Sequence, residues 1–129
     1  DCSARPVMVS HSCLASLRRH HRNLSDGQLA ALAGKRGLLG VNFYPGFLGG
    51  QRDPCDLRSV VDQFVHAREV AGTEFLALGS DFDGISKVPV GLEGPHRFPD
   101  LLAALGQAGF TAQEIDGIAG GNVLRFLGW

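Results

Sequence analysis

The chain has 129 residues, 44% of them hydrophobic, and a net charge of −1, which is the size and composition of one globular domain with one core rather than a disordered segment. Acids and bases are interspersed without a Lys/Arg-rich face, which argues against an electrostatic nucleic-acid footprint. No run of about 18 apolar residues is present, so no transmembrane helix is expected, and neither a signal peptide nor an apolar tail suited to a lipid anchor is found.

Val7–Ser10 predicts a short buried strand, apolar and β-branched, that ends in Ser10-His11-Ser12. Arg18-Arg19-His20-His21-Arg22 follows as a basic cluster, the pattern of a solvated face. Ser25 with Gln28 is a capping box, and Leu29, Leu32 and Ala33 continue at helical spacing to a stop at Gly37. Leu38–Phe43 reads as a second buried strand, and "YPGFLGGQRDP" as a Gly/Pro-rich loop. From Asp56 to Ala71, Leu57, Val60, Val61, Phe64 and Val65 line one face of an amphipathic helix, which Gly72 ends.

Phe75–Gly79 predicts a third buried strand running into Ser80-Asp81-Phe82-Asp83-Gly84. Pro99 then opens a helix carrying Leu101, Leu102 and Leu105, which ends near Gly109. Thr111 with Glu114 is another capping box, before Ile115 and Ile118. Gly120-Gly121-Asn122 is expected to break that helix before a last short one over Val123–Leu127.

Strands alternating with helices imply βαβ units and a parallel sheet, and unbroken apolar strands imply that both sheet faces are covered. In such sheets ligands bind beyond the C-terminal ends of the strands. Ser10-His11-Ser12, Asn42-Phe43-Tyr44 and Ser80-Asp81-Phe82-Asp83 fall there. Each taken singly also suits a plain structural role, a turn aspartate or a satisfied histidine. A Ser-His-Asp triad is disfavoured, because Ser10 and Ser12 are sequence neighbours of His11 and Ser80 lacks a G-x-S-x-G turn. No GxGxxG dinucleotide loop is present. Cys2, Cys13 and Cys55 match no zinc spacing and read as reduced thiols of a cytoplasmic protein, with one bridge left open.

"RPVMVSHS", "RRHHRN", "GVNFYPGFL", "GSDFDG" and "GGNVLRFL" occur in this order. Together they resemble the C-terminal part of the membrane (renal) dipeptidase family, zinc-dependent dipeptidases of the metal-dependent hydrolase superfamily. The resemblance runs over residues 5–127. It implies an α/β fold, the C-terminal portion of a TIM (β/α)8 barrel, with residues 1–129 supplying the last three strands and the C-terminal helices. The abrupt start at Asp1 is then expected, with the N-terminal barrel half as the missing partner.

The same resemblance implies site roles. His11 matches a zinc ligand, and Arg22 the arginine that holds the substrate's free carboxylate with a planar fork. Asp81 matches a catalytic aspartate that handles the water proton or holds the substrate ammonium. Tyr44, Pro45 and Phe47 resemble the pocket wall, Asn23 the residue that orients the Arg22 loop, and Asp83 and Gly84 loop-shaping residues. His20, His21 and His66 are expected to face solvent, and His96 matches no ligand motif. The family's two zinc ions also need a His-x-Asp pair, a bridging Glu and a further histidine, none of which this chain supplies. The expected function is therefore a zinc-dependent dipeptidase acting on dipeptides with a free carboxylate, inactive as this segment alone. A homodimer is compatible with it; the expected compartment is the cytoplasm, and the family it resembles also has membrane-anchored and secreted members. The alternatives are a non-catalytic binding module on the same fold, or another amidohydrolase-superfamily hydrolase.

Overall fold

Three parallel strands organise the chain: β1 (Met8–Ser12), β2 (Leu38–Val41) and β3 (Leu76–Leu78), in the spatial order β1-β2-β3. The computed structural model describes residues 3–49 and 54–129. α1 (Asp26–Gly34) lies between β1 and β2, and α2 (Pro45–Leu48) and α3 (Leu57–Ala71) between β2 and β3. After β3 a single 3-10 turn (Pro95–Arg97) leads into α4 (Phe98–Gln107), α5 (Ala112–Asp116), a π segment (Gly117–Gly121) and α6 (Asn122–Leu127).

α1, α3 and α5 start where side chains satisfy the free N–H groups of the first turn. Ser25 Oγ accepts from the Gln28 N–H while Gln28 Oε1 accepts from the Ser25 N–H. Thr111 and Glu114 form the same reciprocal pair, and the Thr111 N–H holds the Glu114 carboxyl below the usual carboxylate range. At α3 the box is Asp56 with Ser59. The apolar face of α3 packs as its spacing predicts: Val60, Phe64 and Ala67 are buried with Leu29 of α1, Leu39 and Val41 of β2, and Leu101 and Leu105 of α4. Each fully buried Leu or Phe of this layer contributes about 1.5–3 kcal/mol.

Several expectations change. β2 is buried throughout, but β1 is not a buried strand: Val7 and Met8 are 44% and 41% exposed. β1 forms one edge of the described sheet, so only β2 covers its flank. β1 also runs on to Ser12, which places His11 inside the strand. "YPGFLGGQRDP" is not all loop, because Pro45 opens the single helical turn of α2. Gly50 to Asp53 of that stretch, and Cys2, lie outside the described residues. The expected break at Gly120-Gly121-Asn122 is a bend instead, with non-helical geometry at Gly120 alone. Asn122 is buried, and its Nδ2 donates to the carbonyls of Thr73 and Leu76, both at 2.8 Å, which ties α6 to the start of β3.

Candidate active site

A register irregularity in β1 sets the direction of His11. Val9 pairs with Leu39 and Ser12 with Val41, so Ser10 and His11 together lie opposite Gly40. An extra residue of this kind makes the strand skip one alternation. Ser10 and His11 therefore share one side of the sheet, and Ser10 Oγ meets His11 Nδ1 at 2.8 Å. The bulge turns the Ser10 carbonyl over β2 and β3, into the space that a Cβ on Gly40 or Gly79 would fill.

The loop after β1 brings Arg22 back to His11, with its Nη2 3.2 Å from His11 Nε2. Side-chain contacts hold that loop. Ser12 Oγ donates to the Arg22 carbonyl at 2.6 Å. Asn23 Nδ2 donates to the carbonyls of Arg18 and Phe47 at 2.9 and 2.8 Å. The Arg22 guanidinium lies over the Phe47 ring, 5.4 Å from its centroid, a cation–π arrangement. Asn23 thus orients the Arg22 loop by bridging it to α2.

Tyr44 packs edge-on against Phe47 with centroids 4.9 Å apart, and His20 lies 4.7 Å from the same ring. His20 is therefore half-buried on Phe47, whereas His21 is exposed as expected. Partial desolvation, then the charges of His21, Arg18 and Arg22, hold His20 below its ordinary pKa. His66 also departs from the expectation of solvation. It is half-buried, and its Nε2 meets Asp26 Oδ1 at 2.9 Å, linking α3 to α1.

Asp81 sits just past β3 with a left-handed backbone, φ 62°, a conformation Asp tolerates better than most residues. Three neighbours fix it. Its carbonyl accepts from the Gly84 N–H at 2.9 Å. Phe82, next in sequence, stacks on Phe98 at 5.8 Å and meets Phe43 edge-on at 5.7 Å. Asn42 Nδ2 donates to Asp81 Oδ2 at 3.1 Å. Gly84 has no Cβ, which would collide with the Asp81 carboxylate.

Gln63 has no expected site role, and Asn42 is expected only as part of the second strand's end. Both are fully buried polar side chains. Gln63 lies on α3 and accepts from the Leu14 N–H at 2.9 Å while donating to the Leu48 carbonyl at 2.5 Å, so it clamps the loop after β1 to α2. The available signal was a glutamine among Val60, Val61 and Phe64 on an otherwise apolar face, since buried amides are kept for their hydrogen bonds. Cys13 is a buried free thiol donating to the Asn42 carbonyl at 3.2 Å, and burial pushes its pKa up to about 12, so it is not a nucleophile at neutral pH.

His11, Arg22, Tyr44 and Asp81 thus all lie at or just beyond the C-terminal ends of the three strands, where a parallel sheet presents its chemistry. A family model described as membrane dipeptidase (peptidase family M19) matches residues 1–128. The chain belongs to this family. It is 38% identical over 126 residues to an uncharacterized dipeptidase of Schizosaccharomyces pombe, covering 97% of this chain and 31% of that protein. It is 39% identical over 124 residues to the dipeptidase aclJ of Aspergillus oryzae, covering 95% and 29%. Among solved structures it resembles a metallo peptidase from Rhodobacter sphaeroides liganded with a phosphinate mimic of the dipeptide L-Ala-D-Ala. There the TM-score is 0.88 at 29% identity, over 98% of this chain and 36% of that one. The chain spans about a third of the length of these relatives. Its three parallel strands with their helices are a portion of the M19 dipeptidases' TIM barrel.

Membership of a metallopeptidase family implies a hydrolase that depends on a metal. Among the described residues no three His, Cys, Asp or Glu side chains come together as a ligand set. Zinc sites use three or four protein ligands. His11 is a single donor, and its Nε2 already meets Arg22. The described residues do not form a metal centre by themselves.

Proposed function

We propose that this chain forms part of the active site of a zinc-dependent dipeptidase that hydrolyses dipeptides with a free C-terminal carboxylate. The observation that carries the reading is the Arg22 guanidinium held beside His11 at the end of β1, in a chain of the membrane dipeptidase family. The relative from Rhodobacter sphaeroides binds a mimic of a dipeptide, which supports the same substrate class here. Arg22 offers a planar donor fork to the substrate carboxylate. Phe47 beneath it and Ser12 at its backbone keep that fork in place. Tyr44 lines the same wall through Phe47. Asp81 is an acceptor that takes a proton from the attacking water or holds the substrate ammonium. His11 would supply one imidazole to the zinc centre, whose other ligands the described residues do not provide. These residues alone are therefore inactive.

The test is zinc-dependent cleavage of a simple dipeptide by the intact protein, with His11→Ala and Asp81→Asn as controls. Loss of turnover in both variants supports the assignment. Wild-type rates in both would refute it.

A further inference from the structure

We propose that Asn42 is a positioning residue for Asp81, acting through one hydrogen bond whose direction the fold dictates. The Tyr44 N–H, which can only donate, lies 2.6 Å from Asn42 Oδ1. That makes Oδ1 the acceptor and leaves Nδ2 as the donor to Asp81 Oδ2 at 3.1 Å, so the amide has one orientation. The backbone of Asn42 is pinned as well. Its N–H donates to the Ser12 carbonyl at 3.0 Å, and its carbonyl accepts from Cys13 Sγ at 3.2 Å.

Asn42 is 0% exposed, so no water competes for either end of its side chain. It therefore joins the end of β1, which carries His11, to the turn after β3, which carries Asp81. A buried amide with both ends satisfied holds its partner within the narrow tolerance that catalysis needs. The bond occupies Oδ2, and Oδ1 lies beside Gly84, where the missing Cβ leaves it room.

The inference rests on the reading of Asp81 as a catalytic group, and the two are separable by experiment. Asn42→Asp keeps an acceptor for the Tyr44 N–H, removes the donor to Asp81 and sets a second carboxyl group against Asp81 Oδ2. In the intact protein it is expected to lower kcat on the order of 10²-fold, the scale of a misplaced catalytic group, with KM little changed. In an Asp81→Asn background the same change restores a hydrogen bond with donor and acceptor exchanged. The double variant is then expected to melt near the wild-type temperature, yet to stay at the kcat of Asp81→Asn. An equal fractional loss of kcat in both backgrounds, or a wild-type kcat for Asn42→Asp, would overturn the positioning role. If Asn42→Asp does not fold, Asn42→Ala in the same two backgrounds gives the same comparison of kcat. A wild-type kcat for Asp81→Asn alone would instead overturn the catalytic reading of Asp81, and the inference with it.

Discussion

Arg22 Nη2 donates to His11 Nε2 across a 3.2 Å contact at the end of β1. Arginine has no acceptor, so Nε2 must present its lone pair and the ring proton resides on Nδ1, facing Ser10 Oγ at 2.8 Å. This is the tautomer in which Nε2 carries the lone pair that the proposed zinc ligation would use. Nitrogen-detected NMR of the metal-free intact protein should show His11 protonated at Nδ1. A proton on Nε2 would contradict the contact.

The bulge at Ser10-His11 should make Gly40 intolerant of any side chain. A Cβ there meets the Ser10 carbonyl and the backbone of Gly79, neither of which is a flexible side-chain end. Gly40→Ala is expected to destabilise the intact protein by about 1–3 kcal/mol, the usual range for overpacking. Chemical denaturation measures it. At Gly84 the obstacle is the Asp81 carboxylate itself, so Gly84→Ala should lower kcat more than stability.

Gln63 gives a prediction about the scaffold. Replacing it with Leu keeps the volume but leaves the Leu14 N–H and the Leu48 carbonyl without their partner. Buried groups orphaned in this way cost about 2–4 kcal/mol together. Urea unfolding of Gln63→Leu should show a loss of that size. No loss would mean that the amide does not clamp the loop after β1 to α2.

The Asp26–His66 pair predicts an acid-sensitive contribution to stability. The hydrogen bonds from His66 and then Ser16 hold the Asp26 carboxyl below its ordinary 3.8. Between the folded pKa and the unfolded one the unfolded chain binds more protons, so stability rises with pH there. The contribution is present above about pH 4 and is lost as the pH falls through the folded pKa. Both side chains are partly exposed, at 24% and 47%, so the effect is small. Asp26→Asn should flatten the acid side of the stability profile and leave its neutral side nearly parallel to wild type.

The parts of this structure that follow local rules were legible in the residues. α3 follows from apolar spacing, α1 and α5 from capping boxes, and β2 from an apolar run covered on both sides. His11, Arg22 and Asp81 stand at strand ends or in the loops that follow them, which strand–helix alternation and the family motifs together suggest. What the sequence concealed depends on long-range partners. The bulge at Ser10-His11 exists only relative to Gly40 of β2. His66 reads as solvated until α1 brings Asp26 beside it. Asn42 reads as a strand end until its amide is seen between Tyr44 and Asp81. Asn122 reads as a helix breaker, yet its amide is consumed by carbonyls 49 and 46 residues away.

Recognition of a dipeptide's free carboxylate at these strand ends, as proposed above, is open to measurement through Arg22. The measurement is kcat/KM of the intact protein on a dipeptide and on the same dipeptide with an amidated C-terminus, for wild type and Arg22→Ala. Loss of a charged hydrogen-bonded pair costs up to about 3 kcal/mol, or roughly 10²-fold. A loss of that size is expected on the dipeptide, with little change on the amide. Equal losses on both substrates, or none on either, would contradict it.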